Sequence, residues 1–295
     1  MELNRILQPV SKELRLVKKE MKNQVTKIGN NHKSLFTNNH YINNRVKYLF
    51  KISGKMLRPA LVLLSAKSVN GTREIDNNSL VKLATIVEFI HSSSLIHDDI
   101  IDGSDYRRQQ TSLNKQFGNQ DAVLIGDIIN SQFMSILANL ENISYKKRIR
   151  ILDLFSGTIK KMCIGEIYEQ RIKRNNITPT INEYLDIIKN KTASLMSACC
   201  LCGAYISGAT KKEEEALERY GLYLGLAFQI ADDFVDNDSI YTAKNELIEK
   251  AEKYTILAED EINKLKKSLV KQNLLNLNEY VIASAKNNYS TTESK

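Results

Sequence analysis

The sequence Ser93-Ser94-Leu95-Ile96-His97-Asp98-Asp99-Ile100-Ile101-Asp102 places three carboxylates at the end of an otherwise apolar segment. On a helix, Asp98 and Asp102 project from one face, about 6 Å apart along the axis. Like charges stacked in this way destabilise a helix, so the pattern predicts a compensating cation. A hard divalent cation with oxygen ligands is the natural candidate.

A second acidic motif, Asp232-Asp233-Phe234-Val235-Asp236, repeats the spacing of the first. It also follows an apolar segment, residues 224–231. One such motif is a weak signal, because short acidic clusters are common on solvated helix ends. Two motifs of identical spacing, each at the end of an apolar helix, favour a metal site over solvated surface carboxylates.

The composition indicates a helical chain. Its 295 residues include only 3 Pro and 12 Gly, which is few turn-forming residues for a β-rich protein. We predict an all-α fold with one domain over residues 1–295 and roughly ten or more helices. The apolar spacing predicts a peripheral amphipathic helix over residues 1–30, and the polar composition predicts a disordered tail over residues 287–295.

The net charge of +8 is spread along the chain. A basic surface suits nucleic acid, anionic lipid or an anionic small substrate, but no long Lys/Arg block points to nucleic acid. The N-terminal residues Met1 to Leu7 lack the apolar core of a signal peptide. No run of about 18 apolar residues is present either. We therefore expect a soluble cytoplasmic protein without a transmembrane helix.

Basic side chains occur beside predicted helix ends. Lys55 and Arg58 precede the apolar helix 60–66, and Pro59 suits its first turn. A helix N-terminus favours an anion, although two solvated basic residues would give the same pattern. Arg107 and Arg108 follow the first acidic motif, either as ion-pair partners or as a fork for phosphate oxygens.

The two acidic helices share a residue spacing that extends N-terminally from each aspartate motif. The positions of each stripe are 4, 3 and 4 residues apart, so they share one helix face. These positions are His91, Leu95, Asp98 and Asp102 in the first helix, and Gly225, Gln229, Asp232 and Asp236 in the second. A histidine on an apolar helix is commonly a core residue with its hydrogen bonds satisfied inside the protein. Because His91 shares a helix face with Asp98 and Asp102, both a core role and a functional role are open for it.

If the two acidic helices face each other across a cavity, their carboxylates could hold a cluster of Mg²⁺ ions. Mg²⁺ prefers a few carboxylates together with substrate phosphate oxygens. Further phosphate oxygens would be held by Lys55, Arg58, Arg107, Arg108, Lys191 and Thr192. With apolar helix faces below the aspartates, the pattern predicts a site for an anionic head and a hydrocarbon tail, as in a prenyl diphosphate.

Seven motifs in order resemble one family. Gly54-Lys55-x-x-Arg58-Pro59 is similar to the GGKRxRP motif of the trans-isoprenyl diphosphate synthases, also called polyprenyl synthetases. The other six are His91 to Asp102, the arginine pair Arg107-Arg108, Gly126-Asp127, Gly165-Glu166, Lys191-Thr192 and Phe228-Gln229-x-x-Asp232-Asp233-x-x-Asp236. The resemblance implies an isoprenoid-synthase-like helical bundle around a central cavity.

The resemblance also implies an activity and its residues. The activity is a Mg²⁺-dependent trans-prenyltransferase that joins isopentenyl diphosphate to an allylic diphosphate by ionisation, condensation and elimination. The implied ligands of up to about three Mg²⁺ ions are Asp98, Asp99, Asp102, Asp232, Asp233 and Asp236. The allylic diphosphate would be held by Arg107, Lys191, Thr192 and Gln229, of which the last three are the catalytic candidates. Isopentenyl diphosphate would be held by Lys55, Arg58, His91 and Arg108.

Product length is implied by the residues before the first motif. In the family, a bulky aromatic residue there stops elongation early, so the small Ser93 and Ser94 imply a medium- to long-chain all-trans product. Phe133, on the helix that begins near Gly126, is the candidate for the tunnel floor. We expect a homodimer, with a heterodimer as the alternative, and a product that is passed to a membrane.

The chain also departs from the family pattern. Met56 replaces a basic residue, and Gln109-Gln110-Thr111 replaces Gly-x-Pro. Only 14 residues separate Asp236 from Ala251, where the family carries a lid with a diphosphate-binding lysine. This lid is therefore missing or shortened, or the sequence omits a segment.

The absent lid favours a rival interpretation, a noncatalytic subunit of a heteromeric synthase. The two complete aspartate motifs argue against that rival. They also argue against a terpene cyclase, whose second motif is normally built from Asn, Ser and Glu. A nucleic-acid-binding protein would explain the positive charge but not the paired acidic helices.

Overall fold

The computed structural model describes residues 2–30, 40–52, 54–69, 76–236 and 239–292. Within these ranges, the side chains of residues 29, 30, 40, 235, 236, 244, 282 and 284–292 lie outside the description. Helices dominate the described residues, which confirms the all-α prediction. The helices are α1 (Leu3–Ile6), α2 (Ser11–Asn30), α3 (His40–Leu49), α4 (Leu57–Val69), α5 (Asn77–Ile101), α6 (Leu113–Phe117), α7 (Asn119–Ala138), α8 (Tyr145–Asn175), α9 (Ile181–Ile188), α10 (Ser194–Ile206), α11 (Lys211–Asp236), α12 (Lys244–Asn263) and α13 (Leu269–Thr292).

The chain divides into two compact units. The first unit comprises Met1–Ser11, Leu61–Ile75 and Ile149–Lys295, and the second unit comprises Lys12–Ala60 and Asp76–Arg148. The single domain expected from the sequence stays a prediction.

In the second unit, α5 packs against α7 and supplies much of the core. The α5 helix begins after Asp76, whose side chain accepts hydrogen bonds from the backbone N–H groups of Asn78 and Ser79 at 3.3 and 3.1 Å. This cap satisfies two of the free donors of the first turn. Beyond the other end of α5, strands β1 (Tyr106–Arg107) and β2 (Gln110–Thr111) form a short antiparallel hairpin.

In the first unit, α11 packs against α10, α12 and α13. The sequence Thr180-x-x-Glu183 forms a capping box at the start of α9. After α9 the chain forms a π-helical turn, Lys189–Ala193, before α10 begins at Ser194. The sequence did not predict this turn, which lies at one of the seven motifs.

Helix boundaries near both termini differ from the predicted ones. The helix expected over residues 1–30 is interrupted by a 3₁₀ turn, Gln8–Val10, which contains Pro9. Proline lacks a backbone donor, so it favours such a break. The apolar spacing from Leu247 to Leu269 is typical of one continuous helix, but α12 ends at Asn263 and a separate α13 begins at Leu269. The α13 backbone is helical to Thr292, where we expected a disordered tail from residue 287.

Two described helices, α5 and α7, are long and apolar enough to cross a membrane by length and composition alone. In α5, 78% of the apolar window is buried within the protein, as in the core helix of a folded domain. In α7 only 39% of the window is buried, so one face of this helix is exposed. The expectation of no transmembrane helix stays a prediction.

Candidate active site

The first aspartate motif lies at the C-terminal end of α5, in the second unit. Asp98 is half-buried on the last turn, and Asp102 caps the helix and is exposed. The Asp102 backbone N–H donates to the Asp98 carbonyl at 2.8 Å, so the helical turn continues between them. The structure therefore brings both carboxylates to one helix end, as their four-residue spacing predicted.

Asp99, the middle aspartate, is buried and contacts a protein cation. Arg107 donates from Nε to Asp99 Oδ1 at 2.8 Å, and its Nη2 pairs with the same oxygen. Burial raises the pKa of Asp99, and Arg107 opposes that rise. The Arg107 side chain is still 40% exposed, so it remains accessible to a phosphate while it is paired.

Arg108 lies at the tip of the hairpin between β1 and β2. Arg108 and Gln109 have φ angles of 52° and 61°, in the left-handed region that glycine adopts most easily. A Cβ atom on Gly54 would lie 2.4 Å from Arg108 Nη2, so any other residue here would displace the guanidinium from this backbone. The structure thus brings together two residues of different motifs, Gly54 and Arg108.

Arg58 and His91 form a second contact between motifs. Arg58 Nη1 lies 2.9 Å from His91 Nε2. A guanidinium only donates, so Nε2 accepts and the imidazole is neutral. Burial lowers the pKa of His91 well below its usual value, and the charge of Arg58 lowers it further. Lys55 is exposed just before α4, which begins at Leu57 as Pro59 predicted.

Glu88 is a buried carboxylate that sequence reasoning missed. It is only 4% exposed, one turn before His91 on α5. Burial raises its pKa to about 7, and the charges of Arg58, Arg108 and Lys18 oppose that rise. The signal was present in the sequence, because Glu88 lies three residues before His91 and extends the polar stripe by one position.

A cavity of about 230 Å³ lies in the second unit beside these residues. Apolar side chains such as Met21, Leu95 and Ile96 line it. The basic lining residues are Lys18, Lys22, Lys51, Arg107 and Arg108. They outnumber the two carboxylates in the wall, Glu88 and Asp99, so the cavity favours an anionic ligand with an apolar part.

The two serines of the first motif are both hydrogen-bonded. Ser93 is buried, and its hydroxyl donates to the Gly126 carbonyl of α7 at 2.9 Å. Ser94 donates to the His91 carbonyl of its own helix at 2.9 Å. Phe133 is buried two turns beyond Gly126 on α7. The structure places all three side chains along α5 and α7, and their role in product length stays a prediction.

The second aspartate motif lies at the C-terminal end of α11, in the first unit. Asp232 is exposed, and the side chain of Asp236 lies outside the described residues. The middle residue, Asp233, accepts hydrogen bonds from Tyr184 Oη at 2.7 Å and from Gln229 Nε2 at 2.6 Å. Burial raises the pKa of Asp233 to about 6, and these two hydrogen bonds oppose the rise.

The three catalytic candidates lie close to this motif. Thr192 Oγ1 donates to Gln229 Oε1 at 2.7 Å. Lys191 Nζ lies 2.6 Å from Glu166 Oε2 and 2.8 Å from Glu169 Oε2. Burial disfavours the charged form of Lys191, but Glu169 and Glu166 outweigh burial and raise its pKa above the usual value.

The π-helical turn positions Lys191 and Thr192 through close backbone packing. A Cβ atom on Gly165 of α8 would lie 2.6 Å from the Lys191 backbone nitrogen. A Cβ atom on Gly225 of α11 would lie 2.6 Å from the Ala193 Cα atom. Glycine is therefore required on both helices for the turn to lie between them. A π-helical turn inside a helical segment is rare and often marks a functional site.

The carboxylates fit Mg²⁺ in type and exposure. Among the described residues, no group of three or more His, Cys, Asp or Glu is arranged to hold a metal ion. Mg²⁺ is usually held by one or two protein carboxylates together with substrate phosphates and water. Asp98 and Asp102 at the end of α5, and Asp232 at the end of α11, supply such oxygen ligands at accessible positions.

Comparisons with known proteins agree with the motif order. The polyprenyl synthetase family model matches residues 39–276. Over 209 residues, 71% of this chain, the sequence is 34% identical to octaprenyl diphosphate synthase of Escherichia coli and spans 60% of that protein's length. It is 36% identical over 233 residues, 79% of this chain, to a prenyl transferase of Cyanidium caldarium and spans 69% of it.

A solved structure has the same fold. The decaprenyl diphosphate synthase of Rhodobacter capsulatus superimposes with a TM-score of 0.82 at 24% identity, covering 96% of this chain and 99% of that one. The family model covers residues of both units and all seven motifs. The chain therefore belongs to the polyprenyl synthetase family.

Proposed function

We propose that the protein is a trans-prenyltransferase that condenses isopentenyl diphosphate with an allylic prenyl diphosphate. The observation that carries this proposal is the hydrogen bond between Thr192 and Gln229, at 2.7 Å, directly beside the second aspartate motif. The fold brings these residues together from separate motifs, next to Lys191. Cation, hydroxyl and amide side chains at one place suit a diphosphate group.

In the proposed reaction, the C–O bond of the allylic substrate breaks and its diphosphate leaves, and the isopentenyl double bond attacks the resulting allylic carbocation. Arg107 and Lys191 stabilise the negative charge that develops on the leaving diphosphate. Both cations are paired with carboxylates in the structure, so their positions are set before substrate binds. Transfer of a proton from the new chain to the departing diphosphate then completes the condensation.

We propose Asp98, Asp102, Asp232 and Asp236 as the Mg²⁺ ligands. When bound, Mg²⁺ supplies Lewis-acid neutralisation of the diphosphate. Support comes from the accessible positions of Asp98, Asp102 and Asp232. Asp99 and Asp233 accept hydrogen bonds from protein donors, which favours a role in positioning those donors for these two middle aspartates.

For isopentenyl diphosphate we propose the residues of the second unit. Arg108 lines the basic cavity, and Arg58 contacts the neutral His91 beside it. A neutral His91 leaves the positive charge on the guanidinium groups, which suits an acceptor-rich diphosphate. Lys55 is exposed at the start of α4 and completes the proposed set.

We further propose a medium- to long-chain all-trans product made in the cytoplasm by a homodimer and passed to a membrane. The small Ser93 and Ser94 support the product length. The exposed apolar residues Val123, Leu124 and Met134 of α7 support an interface between two copies. The spread positive charge suits anionic small substrates, without nucleic acid as a partner.

A radiolabelled elongation assay tests the proposal. Purified protein is incubated with labelled isopentenyl diphosphate and either geranyl or farnesyl diphosphate, with Mg²⁺ or with a chelator, and products are sized by chromatography. We expect products longer than the primer with Mg²⁺ and none with the chelator. No elongation with Mg²⁺ would contradict the proposal and favour a noncatalytic subunit, which is then tested by adding a candidate synthase partner.

A further inference from the structure

Tyr184 begins a hydrogen-bonded series that ends at Thr192. Tyr184 Oη lies 2.7 Å from Asp233 Oδ2, and Gln229 Nε2 lies 2.6 Å from Asp233 Oδ1. Gln229 Oε1 in turn lies 2.7 Å from Thr192 Oγ1. We call these four residues the Tyr184 relay. All four belong to the first unit, on α9, the π-helical turn and α11.

The direction of each hydrogen bond in the relay follows from chemistry. An ionised carboxylate only accepts, so both Tyr184 and Gln229 must donate to Asp233. The Gln229 amide therefore turns its nitrogen toward Asp233 and its oxygen toward Thr192. The Thr192 hydroxyl then donates to Gln229, and one N–H of Gln229 remains to donate elsewhere. Without Asp233, the amide could adopt either of its two orientations.

The tyrosine ring is held firmly by its surroundings. Tyr184 is fully buried in an apolar cluster with Ile188, Leu226 and Ile230. Its ring stacks on Tyr241, with ring centroids 5.7 Å apart. A buried tyrosine hydroxyl normally has a hydrogen-bond partner, and here that partner is the Asp233 carboxylate. The hydroxyl position is therefore determined by packing rather than by solvent.

We propose that Tyr184 is a positioning residue for the allylic diphosphate, acting through Asp233 to orient Gln229 and Thr192. The inference rests on the proposed function, because it assigns a part within the same site. Asp233 then accepts hydrogen bonds from Tyr184 and Gln229. Its neighbours Asp232 and Asp236 remain the proposed metal ligands. The hydroxyl of Tyr184 matters for substrate, whereas its ring matters for the fold.

The substitution Tyr184→Phe tests the proposal, because it keeps the ring and removes the hydroxyl. We expect kcat/KM for the allylic substrate to fall about ten-fold, since a hydrogen bond to a charged group is lost. The Mg²⁺ concentration that gives half-maximal rate should not change. The matched control is Tyr254→Phe, because Tyr254 stacks on Tyr223 of α11, with centroids 6.1 Å apart, outside the relay.

Equal kinetics for Tyr184→Phe and Tyr254→Phe would overturn the proposal. A higher Mg²⁺ requirement in Tyr184→Phe would also overturn it, because Asp233 would then act through the metal. Wild-type protein in the same assay reports separately on the proposed function, which fails if no elongation occurs.

A double-mutant cycle of Tyr184→Phe and Thr192→Val, followed by urea unfolding, tests the relay without any activity. Non-additive changes in unfolding free energy support the relay. Additive changes overturn it.

Discussion

Asp99 and Asp233 hold corresponding positions in the two motifs, and both bind protein donors. Asp99 accepts from Arg107, and Asp233 accepts from Tyr184 and Gln229. A buried carboxylate needs such partners, because burial without hydrogen bonds is costly. The six-ligand metal cluster expected from the sequence stays a prediction. These contacts favour the two middle aspartates as anchors for substrate-binding residues.

Substitution of neighbouring aspartates should distinguish metal binding from the anchoring of substrate-binding residues. Asp98→Asn should raise the Mg²⁺ concentration for half-maximal rate about ten-fold, because a metal ligand is lost. Asp99→Asn should leave that concentration unchanged and raise KM for the allylic substrate, because Arg107 loses its ionic partner. Titration of the rate with Mg²⁺ and with substrate measures both. A similar Mg²⁺ shift in the two variants would contradict the distinction.

Glu88 should make stability depend on pH. Its pKa is about 7 in the folded protein against 4.5 as the ordinary value, so the unfolded chain releases this proton first as pH rises. The wild type should therefore lose about 3 kcal/mol relative to Glu88→Gln between pH 4.5 and 7. Urea unfolding across this range measures the difference. The exposed Glu259→Gln controls for charge removal, and parallel profiles for wild type and Glu88→Gln would refute the effect.

At the scale of elements, the π-helical turn shows how helices position a site. Gly165 of α8 and Gly225 of α11 approach its backbone more closely than any side chain would allow. Lys191 then reaches Glu166 and Glu169 of α8, while Thr192 reaches Gln229 of α11. The geometry of the catalytic candidates therefore depends on backbone contacts between elements.

Two glycines of α8 provide a matched test of this packing. Gly165→Ala should lower the unfolding free energy by about 1–3 kcal/mol, because the new methyl would lie 2.6 Å from a backbone nitrogen. A Cβ atom at Gly157 would meet no other atom within 4 Å. Gly157→Ala should therefore raise the unfolding free energy by up to about 1 kcal/mol, because alanine has the higher helix propensity. Thermal or urea unfolding measures both. The argument fails if the two variants change stability in the same direction.

At the scale of the whole molecule, α7 presents exposed apolar side chains to solvent. Leu124 is 60% exposed and Met134 is 48% exposed, although both belong to a largely apolar helix. Exposed apolar patches of this kind commonly bind a partner. A second copy of the chain is the partner that we propose, because a two-fold interface joins the same patch of each copy.

Leu124→Lys should convert a dimer to a monomer, because a buried interface would then contain two unpaired charges. Size-exclusion chromatography with light scattering measures the mass of each variant. The control is Ile256→Lys on α12, where Ile256 is 61% exposed in the first unit. If wild type and Leu124→Lys have the same mass, α7 does not form the interface.

Much of this protein is determined by its sequence alone. Apolar periodicity and scarce Pro and Gly determine helices, because a helix repeats every 3.6 residues and needs only local contacts. The four-residue spacing likewise places Asp98 and Asp102 at one helix end. The order of the motifs was sufficient to identify the family. The capping box at Thr180 and the start of α4 likewise follow from neighbouring residues in the sequence.

Only the tertiary structure decided what each polar group contacts. Asp99 and Asp102 look alike in sequence, yet one is buried against Arg107 and the other is exposed. Tyr184 and Asp233 are 49 residues apart and bond at 2.7 Å. No periodicity reports such a pairing, because it depends on how separate helices pack and on the need of buried polar groups for partners. The sequence determines the spacing of the aspartates, and the tertiary structure determines which of them contact other protein groups.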